Sequence, residues 1–154
     1  MTLLEILDPQ AVKIGIKSRK KMGSCEELID LLVKAGRVMD RAAAVKAIRV
    51  REEVRSTGIG RGVAIPHGKD KSILKITGAA GTSREGIEFD AIDGKPVHLV
   101  FLVLAQVDNP GPHLQTLSDI AMCLNVPEVY ERLVGAGNAE EFLCVLRDAG
   151  KEVA

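Results

Sequence analysis

The stretch PVHLVFLVLA, residues 96–105, is an almost uninterrupted apolar run near the middle of the chain. A strand with one face in water would alternate between apolar and polar residues, and this run does not. The run therefore predicts a strand that is covered on both faces. Asp93 and Gly94 precede it and predict the turn that leads into it.

The chain before this run predicts a strand followed by two helices. VKIGI, residues 12–16, alternates like a short strand. Ser24 and Glu27 have the spacing of a capping box for a helix that stops at Gly36. A second helix is predicted from an N-cap at Asp40 to about Arg55. Its predicted core-facing residues are Ala44, Ile48 and either Val50 or Val54.

Two more strands are predicted at residues 62–66 and 73–81, and helices at residues 113–124, 127–134 and 139–147, the last capped by Asn138. Helices at both ends around a buried sheet predict an α/β fold, a three-layer α/β/α sandwich around a mixed β-sheet. There is no internal repeat or linker, so residues 1–154 are expected to form a single domain.

Composition excludes several classes of function. Lys plus Arg and Asp plus Glu both number 21, so no global field draws the chain to nucleic acid or to an anionic membrane. Charged residues interrupt every long apolar run, and the start of the chain does not resemble a signal peptide, so a cytoplasmic protein without membrane insertion is expected. Three widely spaced cysteines, Cys25, Cys123 and Cys144, are expected to be buried reduced thiols.

A glycine-rich segment, REEVRSTGIGRGVAIPHGK at residues 51–69, carries the candidate chemistry. Gly58, Gly60 and Gly62 are evenly spaced, follow a helix and precede a strand, which excludes dinucleotide-binding and P-loop fingerprints. Such a run can still present backbone N–H groups and hydroxyls to an anion. The candidate phosphate-binding residues are Ser56, Thr57, Gly58 and Gly60; the alternative is an ordinary flexible turn.

Two histidines that follow prolines are candidate site residues. Pro66 stiffens the exit from a strand, and a turn at Gly68 is expected to display the His67 ring as a preorganised nucleophile. A structural histidine at a strand end explains the spacing equally simply. His113 is expected at a helix start, where free N–H groups favour an anion; the alternative is a polar first-turn residue.

No metal or cofactor is predicted. The chain has three histidines, and none lies at H-x-x-x-H or C-x-x-C spacing. His98, inside the apolar run, is expected to pack in the core or at the end of the sheet.

The glycine-rich segment resembles the active-site segment of the fructose/mannitol-type enzyme IIA domains of the bacterial phosphoenolpyruvate-dependent phosphotransferase system, which include stand-alone nitrogen-related members. The likeness continues through IEFDAIDGKPVHLVFLVLA and HLQTLSDIAMCL in the same order, and so covers nearly the whole chain.

The resemblance implies a phosphocarrier, a phosphotransferase component with a phosphohistidine intermediate. His67 matches the histidine that takes a phosphoryl group from the small carrier protein HPr. Arg51 and His113 match an arginine and a second histidine that lie beside the phosphorylated ring. The implied acceptors are an enzyme IIB or regulatory target proteins.

The chain departs from the family pattern at three places. Arg55 stands where the family usually has glycine, His98 stands where it often has an acidic residue, and AQVDNPGP replaces a proline that often follows the long strand. Since the sequence ends without an attached IIB or membrane domain, the nitrogen-regulatory type is favoured over sugar transport. The alternative from another class is a non-catalytic regulatory or anion-binding module.

Overall fold

Six α-helices, one short 3₁₀ helix and six strands make up the fold in the computed structural model, which describes residues 2–54 and 56–153. In chain order these are α1 (Thr2–Ile6), a short 3₁₀ helix (Pro9–Ala11), β1 (Val12–Ile14), α2 (Lys21–Lys34), α3 (Arg41–Val54), β2 (Gly58–Gly60), β3 (Val63–Ala64), β4 (His67–Lys69), β5 (Thr77–Ile87), β6 (Val97–Ala105), α4 (Pro110–Leu124), α5 (Val129–Val134) and α6 (Ala139–Val153).

Strand β6 lies in the middle of one mixed sheet and is buried along its whole length except at His98, which is half-buried. One edge of β6 pairs antiparallel with β5. The other edge pairs parallel with β3 and, further along, with β4. Strand β1 pairs parallel with β5, and β2 pairs antiparallel with β3. The prediction of a strand covered on both faces is confirmed.

Helices cover both faces of this sheet, as two glycines of β5 show. A Cβ at Gly78 would lie 2.9 Å from the side chain of Ile6 in α1, whereas one at Gly81 would lie 3.1 Å from Leu28 in α2. Residues three apart on a strand point to opposite faces. Helices α2 and α3 therefore form one layer, and α1, α4, α5 and α6 form the other, so the three-layer α/β/α sandwich is confirmed.

The start of helix α2 differs from the prediction. The helix begins at Lys21, so Ser24 lies inside it and donates its hydroxyl to the carbonyl of Lys21 at 2.7 Å. The capping box is therefore wrong, because the helix begins before the expected cap. The predicted stop is confirmed: Gly36 has a φ of +75°, a backbone conformation that favours glycine.

Helix α3 has the predicted cap but a different inner face. The carboxylate of Asp40 accepts the N–H of Ala43 at 3.0 Å, which confirms the N-cap. Ala44 and Ile48 are fully buried, as expected. Val50 and Val54 are 53% and 77% exposed, so their assignment to the core is wrong.

The residue one helical turn after Ile48 is Glu52, and it is buried in place of these valines. A carboxylate therefore occupies the inner face of α3 near its end. The 3.6-residue period favours this position, but a reading based on apolar residues passes over it.

Several element boundaries also differ. Strand β3 confirms the strand predicted at residues 62–66, while β5 begins at Thr77 and not at residue 73. Helix α4 begins at Pro110, three residues before the expected start, and α5 begins at Val129, two residues after it. Asn138 caps α6 through the N–H of Glu141 at 2.9 Å, as predicted, but the helix continues beyond residue 147.

Two of the turns predicted from the sequence involve Gly68 and Gly94. Gly68 lies within strand β4 and is not a turn. Gly94 has a φ of +69° and donates its N–H to the carbonyl of Ala91 at 2.9 Å, which confirms the turn before β6.

Cys25 and Cys123 are buried as expected, but Cys144 is exposed, so the expectation that it is buried is wrong. Within the described ranges, no helix has the length and apolar composition needed to cross a membrane.

Gly68 permits the close packing of α3 on β4. A Cβ at this position would lie 3.0 Å from the backbone carbonyl carbon and oxygen of Ala47. We expect Gly68→Ala to lower the free energy of unfolding by about 1–3 kcal/mol, because backbone atoms cannot move aside as a flexible side chain can. Urea denaturation measures the change.

Gly137→Ala is the control for this substitution, because the nearest atom to its new methyl group would be a carboxylate oxygen of the flexible Glu141 side chain at 3.5 Å, an ordinary contact distance. Its free energy of unfolding should stay the same or rise slightly, since alanine restricts the unfolded chain more than glycine does. Equal stability of Gly68→Ala and the wild type would contradict the close contact.

Candidate active site

His67 sits where an interrupted edge strand resumes its pairing with β6. Strand β3 pairs with Leu99 and Val100, and β4 pairs with residues 103–105 of the same strand. Between them Pro66 has no N–H to donate, but its carbonyl accepts the N–H of Val103 at 3.0 Å. The backbone is therefore anchored on both sides of the proline, and the half-buried His67 ring leaves it from a fixed position.

One ring nitrogen of His67 is oriented by the backbone. Its Nδ1 lies 2.8 Å from the carbonyl oxygen of Ile65. A carbonyl oxygen only accepts, so Nδ1 carries the hydrogen and, in the neutral ring, Nε2 carries the lone pair. This is the tautomer that a nucleophilic Nε2 requires, and Ile65 is the backbone group that selects it.

His113 lies beside this ring. The centroids of the two rings are 5.3 Å apart, and the planes meet at 61°, edge to face. His113 is only 4% exposed, and its Nδ1 is buried with no hydrogen-bond partner among residues 2–54 and 56–153. A buried imidazole nitrogen without a partner is uncommon in a folded protein, and here it lies next to a candidate nucleophile.

The start of α4 offers fewer backbone donors than the sequence suggested. His113 is the fourth residue of the helix, not its start, and two of the three residues before it are Pro110 and Pro112. Prolines have no N–H, so this helix end is a poor anion site by itself. Any contribution of this region to anion binding therefore depends mainly on the His113 ring.

Both rings are held in the neutral form. Burial lowers the pKa of His67, and the positive charges of Arg51 and Lys69 lower it further, while the hydrogen bond to Ile65 and the charge of Glu52 oppose them. Burial, His67 and Lys69 together lower the pKa of His113 to about 4. At pH 7 both imidazoles are therefore uncharged, and the neighbouring cations favour this neutral form.

Two positive side chains border the histidines. Arg51, in the last turn of α3 as predicted, is half-buried and close enough for its charge to act on His67. Lys69 is exposed and acts on both rings. It is two residues beyond His67 on β4 and therefore on the same face of that strand. Sequence reasoning missed Lys69 because it placed a turn at Gly68; strand alternation would have found it.

The structure gives the candidate phosphate-binding residues partners within the protein. Ser56 donates its hydroxyl to the carbonyl of Phe89 at 2.6 Å and accepts the N–H of Gly58 at 3.0 Å. Thr57 directs its N–H and its hydroxyl to the carboxylate of Glu52. Gly60 is the last residue of β2 and has a φ of +91°. A phosphate-binding role for these residues stays a prediction.

His98 and Arg55 are two of the positions at which the chain departs from the resemblance. The Nδ1 of His98 is 2.8 Å from the carbonyl oxygen of Ser83, so this histidine packs on the sheet as expected. Arg55 falls outside the described residues.

Comparisons with known proteins indicate the family of this chain. A family model described as "Phosphoenolpyruvate-dependent sugar phosphotransferase system, EIIA 2" matches residues 5–149. The chain is 42% identical over 128 residues to a fructose-specific EIIA component of Haloferax volcanii. The matched residues make up 83% of each of the two chains. This chain is 34% identical over 98% of its length to a fructose-specific EIIABC component of Bacillus subtilis but spans only 24% of that longer protein.

Solved structures show the same relationship. The nitrogen regulatory protein IIA-Ntr of Neisseria meningitidis is 34% identical with a TM-score of 0.86, over 95% of this chain and 99% of that one. The mannitol IIA protein of Escherichia coli, in complex with phosphorylated enzyme IIB, is 25% identical with a TM-score of 0.79, over 92% and 97% of the two chains. This chain belongs to the EIIA 2 family of phosphoenolpyruvate-dependent sugar phosphotransferase systems.

Proposed function

We propose that the chain is a phosphocarrier that accepts a phosphoryl group on Nε2 of His67 from a phosphorylated HPr-type protein and passes it on. The observation that carries the proposal is the hydrogen bond between Nδ1 of His67 and the Ile65 carbonyl, which leaves Nε2 unprotonated. A module that only bound anions would gain from a charged imidazolium, whereas here burial and two cations keep the ring neutral.

The transfer itself needs few steps. Nε2 of His67 attacks phosphorus, a new N–P bond forms, and the N–P bond to the donor histidine breaks, with its electron pair returning to the donor ring. No proton leaves Nε2, because Nδ1 already carries the hydrogen of the neutral ring. The migrating group is metaphosphate-like and anionic, so alignment and positive charge lower the barrier. We expect Arg51 and Lys69 to supply the positive charge and the neutral His113 ring to help align the transferring group.

The identity of the phosphoryl acceptor distinguishes two versions of this proposal. An Escherichia coli relative has been solved with phosphorylated enzyme IIB, which supports onward transfer to the cysteine of such a protein. A relative that is a nitrogen regulatory protein supports the other outcome, in which the phosphorylated state itself alters protein binding. Incubating the ³²P-labelled protein with purified enzyme IIB proteins separates them: rapid loss of label indicates transport, and retention indicates regulation.

The nucleophile is tested by replacing His67. With phosphoenolpyruvate, enzyme I and HPr, the wild type should acquire label that is labile in acid and stable in base, and His67→Ala should acquire none. His98→Ala is the matched control, because that ring is also half-buried and also bonded through Nδ1 to a backbone carbonyl at 2.8 Å. Full labelling of His67→Ala would disprove the assignment.

Arg51 is expected to stabilise the transferring group through its forked donors. Arg51→Ala should slow single-turnover labelling more than Arg51→Lys does, because a guanidinium can hold two phosphoryl oxygens and an ammonium is a point charge. Arg49→Ala, at an exposed position on the same helix, is the control and should label at the wild-type rate. An unchanged rate in Arg51→Ala would remove Arg51 from the site.

His113 is expected to assist without being phosphorylated. Loss of one electrostatic donor typically costs on the order of 10²-fold to 10³-fold in rate, so His113→Ala should label slowly but completely in single-turnover experiments. At pH 7 the ring is neutral, and its contribution is hydrogen bonding. An unchanged rate would reduce His113 to a packing role, and stable label on His113 in the His67→Ala background would place the nucleophile there.

A further inference from the structure

Glu52 is a buried carboxylate next to a proposed catalytic arginine. It is 8% exposed, and its oxygens receive donors from two parts of the chain. The N–H of Thr57 lies 3.2 Å from Oε1, and the Thr57 hydroxyl donates to the same oxygen. Lys21 Nζ lies 3.2 Å from Oε2. A buried charge is tolerated only with such partners, so these contacts are expected to be firmly held.

The contacts of Glu52 continue to the nucleophile through two backbone hydrogen bonds. The carbonyl of Thr57 accepts the N–H of Ile65 at 3.0 Å. The carbonyl of Ile65 in turn accepts Nδ1–H of His67 at 2.8 Å. A continuous series of contacts therefore runs from Glu52 through Thr57 and Ile65 to the ring nitrogen that sets the tautomer.

Lys21, which contacts the other carboxylate oxygen of Glu52, has further partners of its own. Lys21, the first residue of α2, also lies 3.7 Å from Asp90 and over the ring of Phe89 at 5.6 Å from its centroid. The carbonyl of Phe89 accepts the hydroxyl of Ser56, the residue before Thr57. The glycine-rich segment is thus held at Ser56 by the Phe89 carbonyl and at Thr57 by the Glu52 carboxylate. Lys21 contacts both Phe89 and Glu52.

We infer that Glu52 is a positioning residue for phosphoryl transfer, acting with Thr57 and Lys21 to fix the Ile65 carbonyl and, through it, the His67 tautomer and ring orientation. Without the carboxylate, Thr57 loses the acceptor of both donors and Ile65 loses a fixed partner. The inference rests on the proposed function of His67 and gives Thr57 a role other than phosphate contact. It makes the glutamate after Arg51 part of the machinery that prepares the nucleophile.

The experiment compares three substitutions with one control. Glu52→Gln removes the charge and sets an amide against the Lys21 ammonium or the Thr57 donors, Thr57→Val removes only the hydroxyl, and Thr57→Ser retains it. Glu27→Gln is the matched control: Glu27 accepts the N–H groups of Lys17 and Ser18 at 2.9 and 3.2 Å and pairs with Lys13 at 3.9 Å, on helix α2.

Three measurements are made on each variant. ¹⁵N NMR of the His67 ring reports the fraction of the Nδ1–H tautomer, and single-turnover labelling from phosphorylated HPr reports the transfer rate. Urea denaturation reports stability. Because the NMR measurement needs no phosphoryl donor, it remains decisive even if the wild type is never phosphorylated, an outcome that would defeat the proposed function alone.

Glu52→Gln and Thr57→Val are expected to lower the Nδ1–H tautomer fraction and to slow labelling about 10-fold to 100-fold, the usual cost of losing a group that orients a functional histidine. Thr57→Ser should recover both, and Glu27→Gln should change only stability. If Glu52→Gln does not fold, the two Thr57 variants decide. An unchanged tautomer, an unchanged rate, or an equal loss in Glu27→Gln would overturn the inference.

Discussion

The burial of β6 on both faces is the constraint from which the rest of the structure follows. A strand with no contact to water must have its N–H and C=O groups paired along both edges. Strand β5 supplies one edge, and the residues from Val63 to Lys69 supply the other. The segment that carries His67 is thus held in register by the core itself. The proposed nucleophile is held in place by the same hydrogen bonds that complete the sheet.

Close packing between α3 and β4 then assembles the charged part of the site. Gly68 lets the backbone of Ala47 approach the strand, which brings the last turns of α3 toward His67. Those turns carry Arg51 and Glu52 as neighbours of opposite charge and different burial. Arg51 acts on the His67 ring as a half-buried cation. Glu52 is connected to the same ring through the hydrogen bonds of Thr57 and Ile65. Packing against Ala47 is therefore the reason for a residue without a side chain after the histidine.

The proposed carrier must release the phosphoryl group that it accepts, and the electrostatics of this site suit that need. Two cations near His67 favour an anionic phosphoryl group, while the charge of Glu52 opposes them. Too strong a positive field would stabilise the phosphorylated state and not the transition state, and transfer onward would slow. Burial adds a separate effect, because it keeps both imidazoles neutral without adding charge.

Local composition and the period of a few residues were enough to predict the central strand, the caps at Asp40 and Asn138, the stop at Gly36 and the candidate histidines His67 and His113. The family resemblance added a role for Arg51 and the expectation that His113 lies beside His67. Three features became visible in the folded chain alone: Glu52 and not Val50 or Val54 turns inward, Lys69 shares a face with His67, and the Ile65 carbonyl sets the tautomer. These features depend on which distant elements meet, and buried charges become favourable only when their partners arrive from elsewhere in the chain.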